Sequence, residues 1–473
     1  MNAPNSKTDR REFIRRSVLC AAGGLFLPSI VPSRVFGSRA PSETLHIGQI
    51  GCGRIARTHD LPEILKNDAA RVTAVCDLDS KRLKEGAEFI ESWYAKQTGR
   101  PDAVRVKTYD DYRGMLSDPE IEAVVISTPD HWHSQPAIEA VLAGKDVYLQ
   151  KPASLTISEG RRLADAVSRT GRILQIGCQQ RSMPQFRIAC ELVRNGRIGT
   201  VRSIQIGLPA DPSGNAEPEM PVPSNLDYDR WLGSTPVAYY TENRVHPQTG
   251  YDRPGWLRCE QFGAGMITGW GSHHLDIAHW AMDTEHTGPV EVEAEAEFPA
   301  SGLWDVHGKF RAEAKYANGT VMRVGSGYPN GVRFEGDDGW IFVTRGDYAV
   351  TSSDPVSGGK NAEALSASDP KILKSKPGPD WVRLPVSTEH HADWIDAIFD
   401  RRPPIAPAEV GHRSCSACLI IHMAMKLKRK LRWDPQNERF RNDDEANAML
   451  SRPQRHPYGT DFIGKWVKPV HAD

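Results

Sequence analysis

A short apolar stretch that runs directly into a glycine-rich turn places the strongest constraint on the fold. Residues 44–50 read TLHIGQI, as in a short buried strand, and positions 51–56 read GCGRIA, a G-x-G-x-x-A pattern that opens a plausible helix. In such a unit Gly51 permits a tight turn, Gly53 lets the backbone approach a pyrophosphate, and Ala56 lets the helix pack against the strand. The sequence here predicts a strand–turn–helix unit that binds a dinucleotide at the helix N-terminus.

The second apolar stretch ends in an acidic residue. Residues 71–76 read RVTAVC and are followed by Asp77. A carboxylate at this point can accept hydrogen bonds from an adenosine ribose and repels a 2′-phosphate, which favours NAD. Lys81 and Arg82 follow closely and could bind such a phosphate, so NADP stays open as the alternative.

Strand and helix patterns then alternate along the chain. Buried strands are predicted at 121–127, 146–149 and 172–177, and helices at 135–143 and 160–170. This alternation is typical of a parallel, doubly wound Rossmann sheet, in which ligands bind beyond the carboxyl ends of the strands. The residues predicted at those ends are Gly51, Asp77, Thr128, Gln150, Lys151, Pro152, Gln179, Gln180 and Arg181.

The second half of the chain follows a different period. Polar and apolar residues alternate from Val290 to Phe298, which predicts a half-buried antiparallel strand with one polar face. Further strands are predicted at 312–316, 321–324, 331–335 and 340–344. We therefore predict a dinucleotide-binding domain over 41–165, a substrate-binding and oligomerisation domain over 166–440, and a C-terminal tail over 441–473.

Composition narrows the possible partners. The 473 residues carry 59 basic and 60 acidic side chains, so no overall field attracts nucleic acid or an anionic membrane, and a neutral small molecule is the expected substrate. Cys415 and Cys418 form a lone C-x-x-C pair, with no second pair or histidine cluster to complete a zinc site. We interpret them as thiols on the apolar face of a helix.

The first forty residues have the features of an export signal. Arg10 and Arg11 are followed by EFIR, and this stretch resembles the twin-arginine signal. The apolar run 17–31 is broken by glycines and a proline, so it is too short for a stable membrane span. Ser38 and Ala40 are small residues at the usual cleavage positions, so the mature chain is expected to begin near Pro41, which predicts a periplasmic or secreted protein. The alternative is a basic cytosolic tail with a chance apolar run.

Four motifs in order resemble the Gfo/Idh/MocA oxidoreductase family, named for glucose–fructose oxidoreductase and inositol dehydrogenase. They are GCGRIA at 51–56, TPDHWH at 128–133, QKP at 150–152 and GMITGWGSHHLD at 265–276. The resemblance implies a dinucleotide fold followed by a larger α/β domain, whose open, mainly antiparallel sheet commonly supports homo-oligomers. It also implies oxidation or reduction of sugars, cyclitols and their derivatives; a lesser branch cleaves glycosidic bonds through transient use of bound NAD.

The resemblance implies roles for two residues and shows two departures. Lys151 matches the family's lysine near the nicotinamide and substrate, and His273 matches its histidine. Gln150 stands where the family usually has glutamate, and Gly269 where it usually has the aspartate that orients the histidine. We hypothesise that Lys151 orients or deprotonates the substrate hydroxyl and that His273 shares the proton transfer, since a histidine needs no tuning to act near neutral pH.

The remaining candidates divide by role. We predict no metal ligands, because adjacent helix residues such as His273 and His274 point about 100° apart. Predicted cofactor-binding residues are Gly51, Gly53, Arg54, Ile55, Asp77, Thr128, Pro129, His133, Gln150 and Lys151. Predicted substrate contacts are Arg181, Arg244, His246, Trp256 and His274. The alternative for residues 205–260 is a structural loop that packs on the sheet. The alternative for His273 and His274 is that both form hydrogen bonds to polar groups of the core.

Three functions remain open at this stage. The first is an NAD(P)-dependent dehydrogenase for a sugar, glycoside or cyclitol. The second is a redox-neutral, NAD-dependent glycosidase or lyase that acts through a transient keto-sugar. The third is a non-catalytic sugar-binding or sensing protein with a degenerate site, which the changes at Gln150 and Gly269 would suit.

Overall fold

The computed structural model describes residues 44–102, 104–348 and 363–464. The predicted export signal lies outside these residues. Within the described part of the chain, no helix is both long enough and apolar enough to cross a membrane.

The N-terminal region forms a six-stranded parallel sheet with strand order β3-β2-β1-β4-β5-β6. Its strands are β1 (Leu45–Ile50), β2 (Ala70–Cys76), β3 (Lys107–Tyr109), β4 (Ala123–Ile126), β5 (Asp146–Leu149) and β6 (Leu174–Ile176). Every residue of the central strands β4 and β5 is buried, because helices cover both faces of the sheet. The predicted doubly wound Rossmann sheet is confirmed.

Helices connect these strands and reach the second domain. After a π-helical turn at Ala56–Asp60, the helices are α1 (Leu61–Leu65), α2 (Ser80–Thr98), α3 (Tyr112–Leu116), α4 (Ser134–Leu142), α5 (Ile157–Thr170) and α6 (Pro184–Arg194). Helix α5 begins with a capping box between Thr156 and Glu159 and ends at Gly171 in the left-handed region, so sequence signals set both of its ends.

The second sheet has nine strands in the order β13-β12-β11-β7-β10-β9-β8-β14-β15. They are β7 (Val201–Gly207), β8 (Glu291–Ala296), β9 (Phe310–Lys315), β10 (Val321–Gly325), β11 (Gly331–Gly336), β12 (Gly339–Val343), β13 (Leu365–Ala367), β14 (Leu431–Asp434) and β15 (Arg439–Phe440). All neighbouring pairs are antiparallel except β7 and β10. The predicted open, mainly antiparallel sheet is confirmed.

The remaining helices belong mainly to the second domain. They are α7 (Tyr228–Leu232), α8 (Met266–Gly269), α9 (Gly271–Met282), α10 (Pro370–Leu373), α11 (His390–Asp400), α12 (Ala408–Leu427) and α13 (Asp444–Ala448). Helices α6, α9 and α12 pack on the second sheet, whereas α11 packs on β5 of the first. Helix α12 is buried almost throughout and contacts α5, α9 and β8, so it joins the two sheets. Cys415 and Cys418 lie buried on it as free thiols, as interpreted from sequence.

Strand β7 was not predicted, because the Pro- and Gly-rich composition after residue 205 suggested loops. The strand lies in the middle of the second sheet, between β10 and β11. Its residues Ile204 and Ile206 are fully buried, and tertiary packing there outweighs the loop-like composition that follows.

Candidate active site

A cleft lies at the carboxyl ends of the parallel strands, with about 1840 Å³ of space that protein atoms do not fill, including the solvent at its open mouth. Residues from both domains line it. Among the predicted site residues, those on its wall are Gly51, Gly53, Arg54, Ile55, Asp77, Thr128, Pro129, His133, Gln150, Lys151, His246, Trp256 and His273. The cleft therefore joins the glycine-rich turn to the lysine and histidine of the second half of the chain.

The glycine-rich turn has the shape that a pyrophosphate requires. Gly51 has a φ of +84°, and a Cβ there would meet the carbonyl oxygen of Ser127 at 2.9 Å. At Gly53, a Cβ would meet nothing within 4 Å, so the backbone is open to the cleft. Both glycines thus have the physical reason that the sequence pattern suggested.

Asp77 is held in place by backbone amides. Its Oδ2 accepts a hydrogen bond from the amide of Cys52 at 2.7 Å, and its Oδ1 accepts one from the amide of Asp79 at 2.9 Å. Burial raises the pKa of Asp77 above its usual value, while these amides and the positive charge of Arg82 oppose the shift. The carboxylate is oriented on the cleft wall, where a ribose would lie in this fold.

A loop of the second domain crosses over the residues that follow Asp77. Lys81 Nζ donates to the carbonyl of Gln248 at 2.7 Å, and an Arg82 guanidinium nitrogen donates to the carbonyl of Pro247 at 2.8 Å. The same loop contains His246, which is predicted to contact substrate; its Nε2 lies 3.0 Å from Oδ2 of Asp79. We call residues 246–251 and their partners on α2 the clasp.

The clasp also bears on cofactor choice. Lys81 and Arg82 are the cations that could bind the 2′-phosphate of NADP. Both already donate hydrogen bonds to backbone carbonyls of the loop. Arg253, just beyond the clasp, lines the cleft with an Nε that is buried without an acceptor among the described residues. An open glycine backbone, an oriented carboxylate and a buried guanidinium donor fit a dinucleotide with an unphosphorylated ribose.

Lys151 projects from the end of β5 toward the second domain. Its Nζ donates to the carbonyl oxygen of Gly269 at 3.0 Å. A side chain at Gly269 would have room, since a Cβ there would meet only the sulfur of Met266 at 3.8 Å. The residue that replaces the family's aspartate therefore still contacts the lysine, through its backbone.

Gln150 points away from Lys151 into a buried polar cluster. Its Nε2 donates to Oδ1 of Asp60 at 2.7 Å, and Oδ2 of Asp60 accepts from Ser127 at 2.7 Å. His391 also lies 3.1 Å from Oδ1, and His59 completes a group whose ligand-type atoms lie within 4.8 Å of one another. Burial disfavours ionised Asp60, but the hydrogen bonds from His391 and Ser127 hold its pKa below its usual value. Protein donors thus satisfy the carboxylate of Asp60, whereas Nε2 of His59 is buried without a hydrogen-bond partner among the described residues.

His273 differs from the expectation of an untuned base. Burial lowers its pKa well below the usual value, and the positive charges of Arg345 and Lys151 add to the shift. Its Nδ1 is buried without a hydrogen-bond partner among the described residues. His273 is therefore a neutral imidazole at pH 7, suited to hydrogen-bonding a ligand rather than to storing a proton.

Three predicted substrate contacts do not line the cleft. Arg181 is 2% exposed and pairs with Asp276 at 2.6 Å and with Glu285 at 2.8 Å, so its charge is already neutralised inside the second domain. His274 lies fully buried between other polar side chains, and Arg244 stacks over a tyrosine ring. The structure thus places all three away from the cleft wall, and their contact with substrate stays a prediction.

The cleft also contains residues that the sequence reasoning did not select. They are Asp111, Trp132, Arg230, Asp252, Arg253, Trp270, Arg345 and Tyr458, together with Asp130 in the TPDHWH motif. Asp130 is 4% exposed, and burial raises its pKa to about 7 while the charge of Lys151 opposes the shift. Its position in the TPDHWH motif, shortly after β4 ends at Ile126, was the available signal.

Comparison with known proteins agrees with this geometry. The model of an oxidoreductase family with an NAD-binding Rossmann fold matches residues 45–178, and that of the same family's C-terminal α/β domain matches residues 213–350 and 361–460. Among curated proteins, inositol 2-dehydrogenase 2 of Saccharopolyspora erythraea is 27% identical over 243 residues, which is 51% of this chain and 55% of that protein.

Two further similarities come from a glycosidase family and a solved structure. A glycosyl hydrolase family 109 protein of Shewanella pealeana is 30% identical over 181 residues, 35% of this chain and 38% of that protein. The chain spans about half the length of the first curated relatives. Aldose-aldose oxidoreductase from Caulobacter crescentus aligns with a TM-score of 0.57 at 20% identity, over 82% of this chain and 99% of that one. This chain is a member of the Gfo/Idh/MocA oxidoreductase family, with its NAD-binding Rossmann domain.

Proposed function

We propose that this protein oxidises or reduces a carbinol group of a sugar, glycoside or cyclitol by hydride exchange with bound NAD. The observation that carries the proposal is the shared cleft: Lys151 and His273 line the same cleft as the glycine-rich turn and Asp77. A dinucleotide bound through its pyrophosphate at the turn would supply the hydride acceptor, and Lys151 would supply the proton acceptor; alcohol oxidation needs both.

The residues at the lysine end divide the proton chemistry. NAD supplies the hydride acceptor when bound. The carbonyl of Gly269 orients Lys151. In its neutral amine form, Lys151 takes the proton from the substrate hydroxyl. His273, which lines the cleft and is kept neutral by its lowered pKa, contributes its imidazole as a hydrogen-bonding group for a second hydroxyl.

The other walls of the cleft support a polyhydroxylated substrate. Trp256 and Trp270 present aromatic faces, and Arg345 stacks over Trp270 at 4.6 Å. Planar rings and guanidinium donors recognise the faces and hydroxyls of a sugar ring. The names of relatives, including an inositol dehydrogenase and a levoglucosan dehydrogenase, support the same substrate class.

A redox-neutral glycosidase or lyase is the second candidate. The clasp favours it, because several hydrogen bonds across the ribose end would slow exchange of the dinucleotide. A cofactor that stays bound suits a cycle that removes a hydride and returns it to the same substrate. The similarity to family 109 glycosyl hydrolases supports this reading over part of the chain.

We further propose export by the twin-arginine route and assembly as a homo-oligomer. The paired arginines and the apolar run of residues 10–31 support export to the periplasm or beyond. That route carries folded proteins, so NAD would enter before export. The open face of the second sheet supports self-association; size-exclusion chromatography with light scattering would test it.

The deciding experiment combines cofactor analysis with a substrate panel. Purified protein is denatured, and released NAD, NADH, NADP and NADPH are quantified by mass spectrometry. The protein is then supplied with NAD and sugars, cyclitols or aryl glycosides. NADH formation supports a dehydrogenase, and aglycone release without net NADH supports the redox-neutral cycle. Absence of both, with no dinucleotide bound, would leave the sensing function and refute the proposal.

A further inference from the structure

One group of buried side chains lies behind the cleft wall and has no part in the proposed chemistry. It consists of His59, Asp60 and His391, and none of the three lines the cleft. Each side chain offers one ligand-type atom, and these atoms all lie within 4.8 Å of one another. Within the described ranges, it is the single group of three histidine, cysteine or acidic side chains with ligand atoms this close together. We call it the His–Asp–His cluster.

Two distant parts of the sequence form the cluster. His59 and Asp60 end the π-helical turn Ala56–Asp60, which follows the glycine-rich turn. His391 is the second residue of α11, 331 positions after Asp60. Neighbouring residues of a regular helix point apart, but a π-helical turn is wider, and such turns are frequent at functional sites. This turn places two neighbouring side chains in one group.

The contact between Asp60 and His391 has the length that a shared metal ion requires. Oδ1 of Asp60 and Nε2 of His391 lie 3.1 Å apart. Two ligand atoms of one tetrahedral zinc ion, each about 2.0–2.1 Å from the metal, lie about 3.3 Å from each other. The same contact serves as a hydrogen bond when no ion is bound, so the third side chain, His59, decides between the two.

His59 is buried without the partners that an imidazole needs. It is 8% exposed, and its Nε2 is buried with no hydrogen-bond partner in the part of the chain that the structure describes. The ring centroids of His59 and His391 lie 5.3 Å apart. Two imidazoles bound to one zinc ion have centroids about 5 Å apart. Rotation about the Cβ–Cγ bond can turn the buried nitrogen toward the group, and an ion there would remove the cost of leaving it unpaired.

The other two side chains are already held in place. The ring of His391 stacks on that of Tyr148, with centroids 4.2 Å apart. Oδ2 of Asp60 accepts from Ser127, and Oδ1 accepts from Nε2 of Gln150, each at 2.7 Å. Contacts that orient the ligands themselves are typical of protein metal sites. Only His59 therefore has to move for the three side chains to meet at one ion.

The charges around the cluster permit a cation. Burial opposes ionisation of Asp60, but hydrogen bonds hold its pKa below the usual value, so it is a carboxylate at pH 7. Burial lowers the pKa of His59 to about 4. The charge of Glu63 on α1 opposes that shift and the charge of Arg345 adds to it, so these two outer charges offset each other. Asp60 then leaves the cluster with a net negative charge.

We propose that the His–Asp–His cluster binds one divalent transition-metal ion, and that zinc fits it best. Two imidazoles and one carboxylate are ligands that zinc prefers, and water takes the fourth position of the tetrahedron. The ion joins the turn behind the glycine-rich loop to α11. It lies outside the cleft, so its role is structural. The sequence predicts no metal ligands because no local spacing relates positions 59 and 60 to position 391.

Zinc titration of the purified protein tests the site directly. The protein is stripped with a chelator, dialysed into metal-free buffer and titrated with zinc chloride by isothermal calorimetry. We expect one tightly bound zinc ion per chain, and elemental analysis after dialysis should find the same stoichiometry. Free zinc at a hundredfold excess over its dissociation constant should raise the melting temperature by about 3–5 °C.

His59→Leu removes one ligand and keeps a buried side chain. We expect the affinity for zinc to fall at least about 100-fold, while the zinc-free variant melts no lower than zinc-free wild type. The matched control is His422→Leu. Nε2 of His422 lies 3.1 Å from Oε1 of Glu260, the same distance as in the cluster, but His422 belongs to no such group among the described residues. The control should bind zinc as wild type does.

Two outcomes would overturn the proposal. One is a stripped wild type that binds no zinc, and the other is equal zinc affinity in His59→Leu and His422→Leu, which would place the ion elsewhere. Circular dichroism shows whether each variant is folded, and His59→Gln replaces His59→Leu if the latter does not fold. The titration needs neither NAD nor substrate, so its result is independent of the proposed function.

Discussion

The two ends of the cleft hold their carboxylates in opposite ways. At the ribose end, Asp77 accepts two backbone hydrogen bonds, and the clasp binds Lys81 and Arg82. At the lysine end, and among the described residues, His273 keeps a buried nitrogen without a partner, and the carboxylate of Asp130 has no hydrogen-bond donor other than its own backbone amide. Satisfied groups make a rigid cradle, whereas unsatisfied buried groups are most costly without a ligand. We therefore assign cofactor binding to the ribose end of the cleft and the chemical step to the lysine end.

The largest effect should come from removing the amine at the lysine end. We expect Lys151→Ala and Lys151→Met to lower the turnover number by about 10²–10⁴-fold, the usual contribution of a proton-transfer group. The dissociation constant for NAD should stay within a few-fold of wild type, because the ribose end is untouched. Steady-state kinetics and fluorescence titration measure the two quantities. Equal losses in turnover number and in NAD affinity would show that the lysine end and the ribose end of the cleft do not act independently.

A second carboxylate beneath the lysine end should destabilise the fold. Gln150→Glu replaces an amide that donates to Asp60 at 2.7 Å, and two buried carboxylates would then share that contact. We expect a loss of about 3 kcal/mol in unfolding free energy at pH 7, as for an uncompensated buried charge. The folded-state pKa of the pair is raised, so the deficit should shrink as the pH falls toward 5.

The double variant Asp60→Asn with Gln150→Glu is the matched control. It exchanges the carboxylate and the amide while keeping one hydrogen bond and one charge. Denaturant unfolding should return at least half of the lost free energy. An additive result would show that residues 60 and 150 are not coupled in this way.

The ribose end should respond in affinity rather than in turnover. Asp77→Ala removes the acceptor of the Cys52 and Asp79 amides, so we expect NAD to bind about 10- to 100-fold more weakly. The turnover number at saturating NAD should change little. The preference for NAD over NADP should narrow, because the variant no longer repels a 2′-phosphate. Unchanged discrimination would assign cofactor choice to residues other than Asp77.

Sequence reasoning recovered the parts of the molecule where local pattern and tertiary structure agree. Most residues of the GCGRIA turn and of the predicted strand ends, Lys151 among them, line one cleft, whereas Pro152, Gln180 and Arg181 do not. Strand β7 was missed because its apolar residues adjoin a loop-like segment. The pKa direction of His273 depends on burial and on the charge of Arg345, about seventy positions away, which no local pattern contains.

The same limit explains Arg181 and Asp130. Both stand near predicted strand ends, yet Arg181 turns into the second domain toward Asp276 and Asp130 turns into the cleft. A strand end specifies the edge of the sheet but not which way a side chain leaves it. Only the packing of α9 and α12 against that edge decides between a structural ion pair and a place in the site.

The smallest effect should come from loosening the clasp. Tyr251 donates its hydroxyl to Glu85 at 2.5 Å, and Arg57 and Arg82 lie over its ring, so it joins the loop to α2. Tyr251→Phe removes one hydrogen bond worth about 0.5–1.5 kcal/mol while keeping the ring. We expect NAD to dissociate about two- to tenfold faster, measured by stopped-flow displacement, with turnover unchanged where chemistry limits the rate.

Tyr239→Phe is the control for that measurement. Tyr239 also donates its hydroxyl to a neighbouring segment, at the carbonyl of Glu217, but it is exposed and lies outside the clasp. Its variant should release NAD at the wild-type rate. Equal dissociation rates for both variants would show that the clasp does not limit the release of NAD. The clasp would then no longer favour a redox-neutral cycle with a retained cofactor, and a plain dehydrogenase would be the better supported function.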